Sequence, residues 1–144
     1  MEQKDNNLAD RQTLSRGQEM YKMVFGTPER KPLIGLREFT IKHLFANVWS
    51  RSRPPIAETQ MITLKERSMI TVALLASQGR NEELKSHIRG ALHLGISKEQ
   101  VLEIMIHVAH YAGWPAGNNG QRIAFKVFGK RKKRHAPKPP KRNL

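Results

Sequence analysis

The sequence repeats one arrangement of titratable side chains. Glu83 stands four residues before His87, Glu103 stands four residues before His107, and Tyr111 follows after four more. On a helix, residues four apart share a face, so each pair sets a carboxylate against an imidazole and the second becomes a polar stripe of three. A carboxylate so placed fixes the tautomer of the ring and raises its basicity, which suits general acid–base catalysis. The same pairing also occurs on ordinary solvated helix faces, where it contributes little. His110 is three residues beyond His107, and two histidines with a carboxylate can hold zinc or iron. The HExxH spacing is absent, however, and His110 diverges from the side that carries Glu103, so no metal is expected. The chain has no cysteine, which excludes disulfides, thiolate metal sites and thiol redox chemistry.

Both pairs need helices, and the sequence marks their ends. In Thr63-Leu-Lys-Glu66 and Ser97-Lys-Glu-Gln100 the hydroxyl can accept from the third helical amide while the longer side chain reaches back to the cap amide. The first box opens a helix that ends at Gly79; its apolar residues lie nearly all round, which places it centrally in the core. Asn81 is expected to cap the helix of Glu83 and His87, with Leu84, Ile88 and Ala91 on its other side and Gly95 at its end. The second box opens the helix of Glu103 and His107, which runs to Gly113. The short turns at Gly79 and Gly95 predict that the capped helices pack as neighbours.

Upstream, Leu14, Tyr21, Val24 and Phe25 mark a helix stopped by Gly26 and Pro28, and a second helical rhythm runs from Leu36 to Trp49. Ser50–Ile62, with Pro54 and Pro55, reads as a connecting loop. Pro115 suits the first turn of a last helix ending at Gly129. Tyr111–Gly120 gathers small residues around Trp114, which lets backbone approach another helix or a ligand, but it forms no GxGxxG, and no GxSxG or P-loop is present. No alternating strand is found, so the expected fold is all-α with about six helices. One domain over 14–128 is flanked by a flexible N-terminus (1–13) and a disordered basic tail (129–144).

The 144 residues suffice for one domain. Of 26 Lys and Arg, eight follow Phe128 with no acidic residue among them, so more than half of the net +14 belongs to the tail and the remainder of the chain carries +6. A basic body suits an anionic small substrate, and the tail separately invites non-specific contact with nucleic acid or other polyanions. No apolar run approaches the ~20 residues of a membrane-spanning helix, and the start lacks the basic flank and apolar core of a signal peptide. A cytoplasmic location is expected.

The run GRNEELKSHIRGALHLGIS from Gly79 to Ser97, followed by HVAHYAGWPA from His107 to Ala116, resembles the signature of 4-carboxymuconolactone decarboxylases. The resemblance reaches back through Val48-Trp-Ser-Arg51 and the Arg16–Gly26 segment, over roughly residues 14–128. It implies the all-helical fold shared with alkylhydroperoxidase-D-like proteins, usually assembled as a homo-hexamer. The peroxidase branch of that superfamily uses a CxxCxxxH motif; aligning its histidine with His87 puts Arg80 and Glu83 where the cysteines would be, so peroxide reduction by that route is excluded.

The implied reaction is cofactor-independent loss of CO₂ from 4-carboxymuconolactone or a similar carboxylated lactone of aromatic catabolism. The conjugated ring carbonyl accepts the electron pair as a dienolate. The protein must then supply a cation for the spectator carboxylate, a donor at the developing oxyanion and a proton for the product carbon. Arg80 suits bidentate carboxylate binding, with Arg89 and Arg51 as further candidates. His87, oriented by Glu83, is the first choice of proton donor, and His107 and Tyr111 are candidate oxyanion donors or a second acid. Trp49 and Trp114 either wall the pocket or pack in the core. A catalytically idle oligomeric scaffold with a polyanion-binding tail is the alternative; survival of Arg80, Glu83 and His87 together favours an enzyme.

Overall fold

A computed structural model describes residues 2–52 and 62–129. The expected loop at Pro54 and Pro55 and the basic tail from Lys130 lie outside the described residues. Among these residues there is no strand, and the fold is all-α. Helix α1 (Glu2–Phe25) packs along a segment made of α2 (Leu36–Phe39), a π-helical stretch (Thr40–Val48) and a 3-10 turn (Trp49–Ser52). The second layer contains α3 (Leu64–Ser77), α4 (Asn81–His93), α5 (Lys98–Ala112) and α6 (Trp114–Phe128).

The predicted helix ends are realised where local chemistry alone decides them. Thr63 accepts from the Glu66 amide at 3.2 Å while the Glu66 carboxylate accepts from the Thr63 amide at 2.7 Å; Ser97 and Gln100 repeat the exchange at 3.1 and 2.9 Å. Helices α3 and α4 close identically. Gly79 and Gly95 adopt φ of +66° and +83°, and the Arg80 and Ile96 amides donate back to the Leu75 and Ala91 carbonyls, both at 3.0 Å. A side chain at either glycine would strain that left-handed turn. Pro115 falls in the first turn of α6, as expected.

Helical backbone continues α1 back to Glu2, and Asp10 pairs there with Lys42 at 2.8 Å. Several expectations are corrected. Asn81 does not cap α4. Arg80 occupies that position without a side-chain cap bond, and the Asn81 side-chain Oδ1 accepts from Asn119 Nδ2 of α6 at 2.8 Å. The segment from Thr40 to Val48 is wider than an α-helix, and Arg16 of α1 donates to its Ala46 carbonyl at 2.9 Å. Helices α4 and α5 do not form a main packing pair: α4 lies against α1, α3 and α6, and α5 against α3 and α6. Nor is α3 wholly interior. It buries the stripe Ser68, Val72 and Ala76, whereas Ile70 and Leu74 are 48% and 53% exposed.

Two apolar clusters hold the layers. Met20, Val24, Ile41, Phe45 and Trp49 form one, with Leu64 of α3 packed against it. Val72, Ala76, Leu84, Ile88, Val101 and Met105 are central to the other. Glycine lets α1 approach both partners: a Cβ at Gly17 would stand 2.1 Å from the Ile41 carbonyl oxygen, and one at Gly90 would stand 3.0 Å from that of Val24. No helix among the described residues is long and apolar enough to cross a membrane.

Candidate active site

His87 is carried on α4 between Leu84 and Ile88, both fully buried. The close approach of α1 at Gly90 brings Phe25 edge-on to the imidazole, with ring centroids 5.1 Å apart and planes at 67°. From the other layer the 3-10 turn supplies Trp49, itself 3% exposed, whose ring stacks on His87 at 5.9 Å and 24°. Phe45 stacks in turn on Trp49 at 6.0 Å. The histidine is therefore half-buried in an aromatic wall built from three separate elements.

This setting dictates its protonation. Burial disfavours the imidazolium and lowers the pKa of His87 to about 4, although the Glu83 carboxylate on the same face pulls it upward. The ring is neutral at pH 7. Its Nδ1 is buried and has no hydrogen-bond partner among the described residues. Among the described residues the other buried, unpartnered side-chain atom is Oγ of Ser68, on α3. An unpartnered buried polar group costs about 1–3 kcal/mol, so each of the two calls for a reason.

The second pair is built differently. Glu103 and His107 line an open groove of about 630 Å³ between α3 and α5, together with Met69, Ile70, Ala73, Leu74, Gln100 and Ile104. Tyr111 continues the stripe with its ring 4.5 Å from that of His107, but is 82% exposed. His87 is not among the residues that line this groove.

The other expected residues also separate. Trp49 both packs in the core and walls the His87 site, while Trp114 is 65% exposed and its ring lies against His110 at 5.7 Å. Arg51 follows Trp49 by two residues, and Arg80 stands at the start of α4 on the Glu83 side; both are exposed, as is Arg89, and none of the three is in an ion pair among the described residues. The His110 ring nitrogen Nδ1 is bonded to the Ile106 carbonyl at 2.9 Å. Among the described residues no group of three His, Asp or Glu side chains could hold a metal ion. Phe25 was not expected at the site. Gly26 and Gly90 were the available signal for Phe25, since small residues on both helices permit the crossing that delivers its ring.

Comparison with known proteins completes this picture. The model of the carboxymuconolactone decarboxylase family matches residues 42–125. Over 92 residues the chain is 33% identical to 4-carboxymuconolactone decarboxylase of Acinetobacter baylyi, covering 64% of this chain and 63% of that one. It is 36% identical over 52 residues to a nitrosuccinic acid decarboxylase of Metarhizium robertsii, 36% of each chain. It is also 29% identical over 84 residues to peroxisomal protein 2 of Saccharomyces cerevisiae, 55% of this chain and 27% of that one. The chain thus spans less than two thirds of the length of each of these relatives.

Proposed function

Because this chain belongs to the carboxymuconolactone decarboxylase family, we propose that it is a cofactor-independent, cytoplasmic carboxy-lyase acting on 4-carboxymuconolactone or a similar carboxylated lactone. The observation that carries this reading is the His87 site: a neutral imidazole, walled by Trp49 and Phe25, with its Nδ1 edge buried. The relatives named as decarboxylases support the reaction class.

The chemistry follows from the charge of the substrate. An anionic carboxylate entering beside His87 raises its pKa, as Glu83 already does, so the ring takes up a proton as substrate binds. Arg80 or Arg51 holds the spectator carboxylate. The carbon–CO₂ bond breaks with its electron pair passing into the conjugated ring carbonyl, and the imidazolium then delivers the Nε2 proton to the product carbon. One proton is consumed for each CO₂ released. Trp49 and Phe25 keep water from the leaving carboxylate. His107 and Tyr111 belong to this mechanism only if a second copy of the chain presents its α5 stripe to the site.

The protomer is read as a subunit of a homo-oligomer, a hexamer as the resemblance implies. Ile70, Leu74 and Ile106 are each about half exposed, and Tyr111 and Trp114 more so, which leaves apolar surface on α3, α5 and α6 for another copy. Incubating the purified chain with 4-carboxymuconolactone and following CO₂ directly tests the activity: stoichiometric CO₂ is expected, and none above the protein-free rate would refute it.

A further inference from the structure

The rings around His87 close into a circuit. Between centroids, Tyr21 lies 4.7 Å from Phe25, Phe25 lies 5.1 Å from His87, and His87 lies 5.9 Å from Trp49. Trp49 lies 6.0 Å from Phe45, and Phe45 returns to Tyr21 at 5.1 Å. The proposed reaction uses the imidazole and its walls, Phe25 and Trp49, and leaves Tyr21 without a role. Its place on the far side of the circuit follows from α1. Gly17, Tyr21 and Phe25 are four residues apart and share a helix face, and α1 is pressed on the π-helical stretch at Gly17 and on α4 at Gly90. Tyr21 therefore sits between the two close approaches, one turn before the ring that covers His87. Outside the circuit its hydroxyl is hydrogen-bonded to the Glu29 carboxylate, which also accepts from Arg37 and from the Lys31 amide at 2.8 and 2.9 Å.

We propose that Tyr21 is a positioning residue for His87: its ring, set between Phe25 and Phe45, holds the edge of Phe25 against the imidazole and so fixes where His87 points. Phe25 is only half-buried, so the core alone does not confine it. Aromatic rings prefer tilted and edge-to-face contacts, which pair the positive edge of one with the negative face of another. Phe25 receives such contacts from Tyr21 at 50° and from Phe45 at 62°, and the tie to Glu29 keeps the first of them in register. An aliphatic side chain at position 21 offers neither a ring nor a bond to Glu29. A proton donor must stand within hydrogen-bond reach of the atom it serves, so an imidazole freed to turn loses rate before it loses binding.

The inference rests on His87 being the reacting group, but its primary test is independent of turnover. Ring currents of Phe25 and Trp49 displace the carbon-bound proton signals of the His87 imidazole. These signals, assigned with His87→Gln, are compared in the full-length protein at pH 8, where the ring is neutral in every variant. Tyr21→Leu should move them toward those of an exposed histidine. It should also lower kcat for any carboxylactone about tenfold, a fraction of the ~100-fold that a 1 Å misplacement can cost, while KM stays within about twofold. Tyr21→Phe, which keeps the ring and loses the tie to Glu29, should recover most of both. Unmoved His87 signals in Tyr21→Leu would overturn the proposal and leave Tyr21 a packing residue, and so would a Tyr21→Phe variant as displaced as Tyr21→Leu. Should Tyr21→Leu not fold, Tyr21→Met, longer and also without a ring, serves in its place, and unmoved signals there have the same force. Displaced signals in a protein inactive on every carboxylactone would uphold the positioning role while refuting the decarboxylase reading.

Discussion

The α4 pair and the α5 pair have the same letters at the same spacing, yet the molecule makes different chemical objects of them. His87 is pressed between Trp49 and Phe25, loses solvent on one edge and falls to a pKa of about 4. His107 faces an open groove beside Glu103, with an exposed tyrosine as its ring neighbour. The difference lies in what reaches each helix from afar. Helix α4 is crossed by α1 at Gly90 and met by the turn after the π-helical stretch, whereas the exposed face of α5 is met by neither. Spacing creates a candidate pair; burial from elsewhere in the chain decides what the pair can do.

The comparison breaks most severely when the aromatic wall is removed. Trp49→Ala should cost about 3–5 kcal/mol of stability, the usual range for emptying a buried tryptophan site, and should raise the pKa of His87 by readmitting water. Trp114→Ala, at an exposed position, should change stability by less than about 1 kcal/mol. Denaturant titrations of the two variants check both.

Acid sharpens the contrast next. The folded-state pKa of His87 lies below its ordinary value of 6.5, so below pH 6.5 the unfolded chain takes up a proton that the folded one refuses. The stability contribution is therefore complete above pH 6.5, falls between 6.5 and 4, and changes no further below 4. Its size is about 3 kcal/mol. Replacing His87 with glutamine, which does not titrate, should flatten this part of the stability–pH curve.

Glu83→Gln should have the smallest effect. Removing the one charge that supports the imidazolium lowers the His87 pKa further and should reduce turnover a few-fold at neutral pH, while stability changes by less than about 1 kcal/mol, since Glu83 is exposed. Steady-state rates for this variant beside Glu103→Gln, expected to match the parent, measure the asymmetry between the pairs.

What the sequence made legible was local. Both capping boxes, both glycine-terminated turns and the proline start of α6 depend on residues within a turn of one another, and each is found as read. The periodicity of Leu84, Ile88 and Ala91 likewise located the buried side of α4. The misses all depend on contacts distant in the chain. Asn81 finds Asn119 instead of capping its own helix. The Thr40–Val48 stretch widens while Arg16 of α1 holds one of its carbonyls. Trp49 and Trp114 are alike in sequence, but only one meets a second layer. Nothing near His87 in sequence announces that Phe25, from the end of α1, will close over it.

The central claim is that His87, and not His107, is the chemical centre of a decarboxylase. Its most direct test is CO₂ release from 4-carboxymuconolactone by the parent chain, His87→Gln and His107→Gln, each shown to be folded and of the same oligomeric state. The account predicts measurable release by the parent, a loss of about 10²–10⁴-fold in His87→Gln, as expected for removing a general acid, and a change of less than about fivefold in His107→Gln. Equal activity of His87→Gln and the parent, or a collapse confined to His107→Gln, would contradict it.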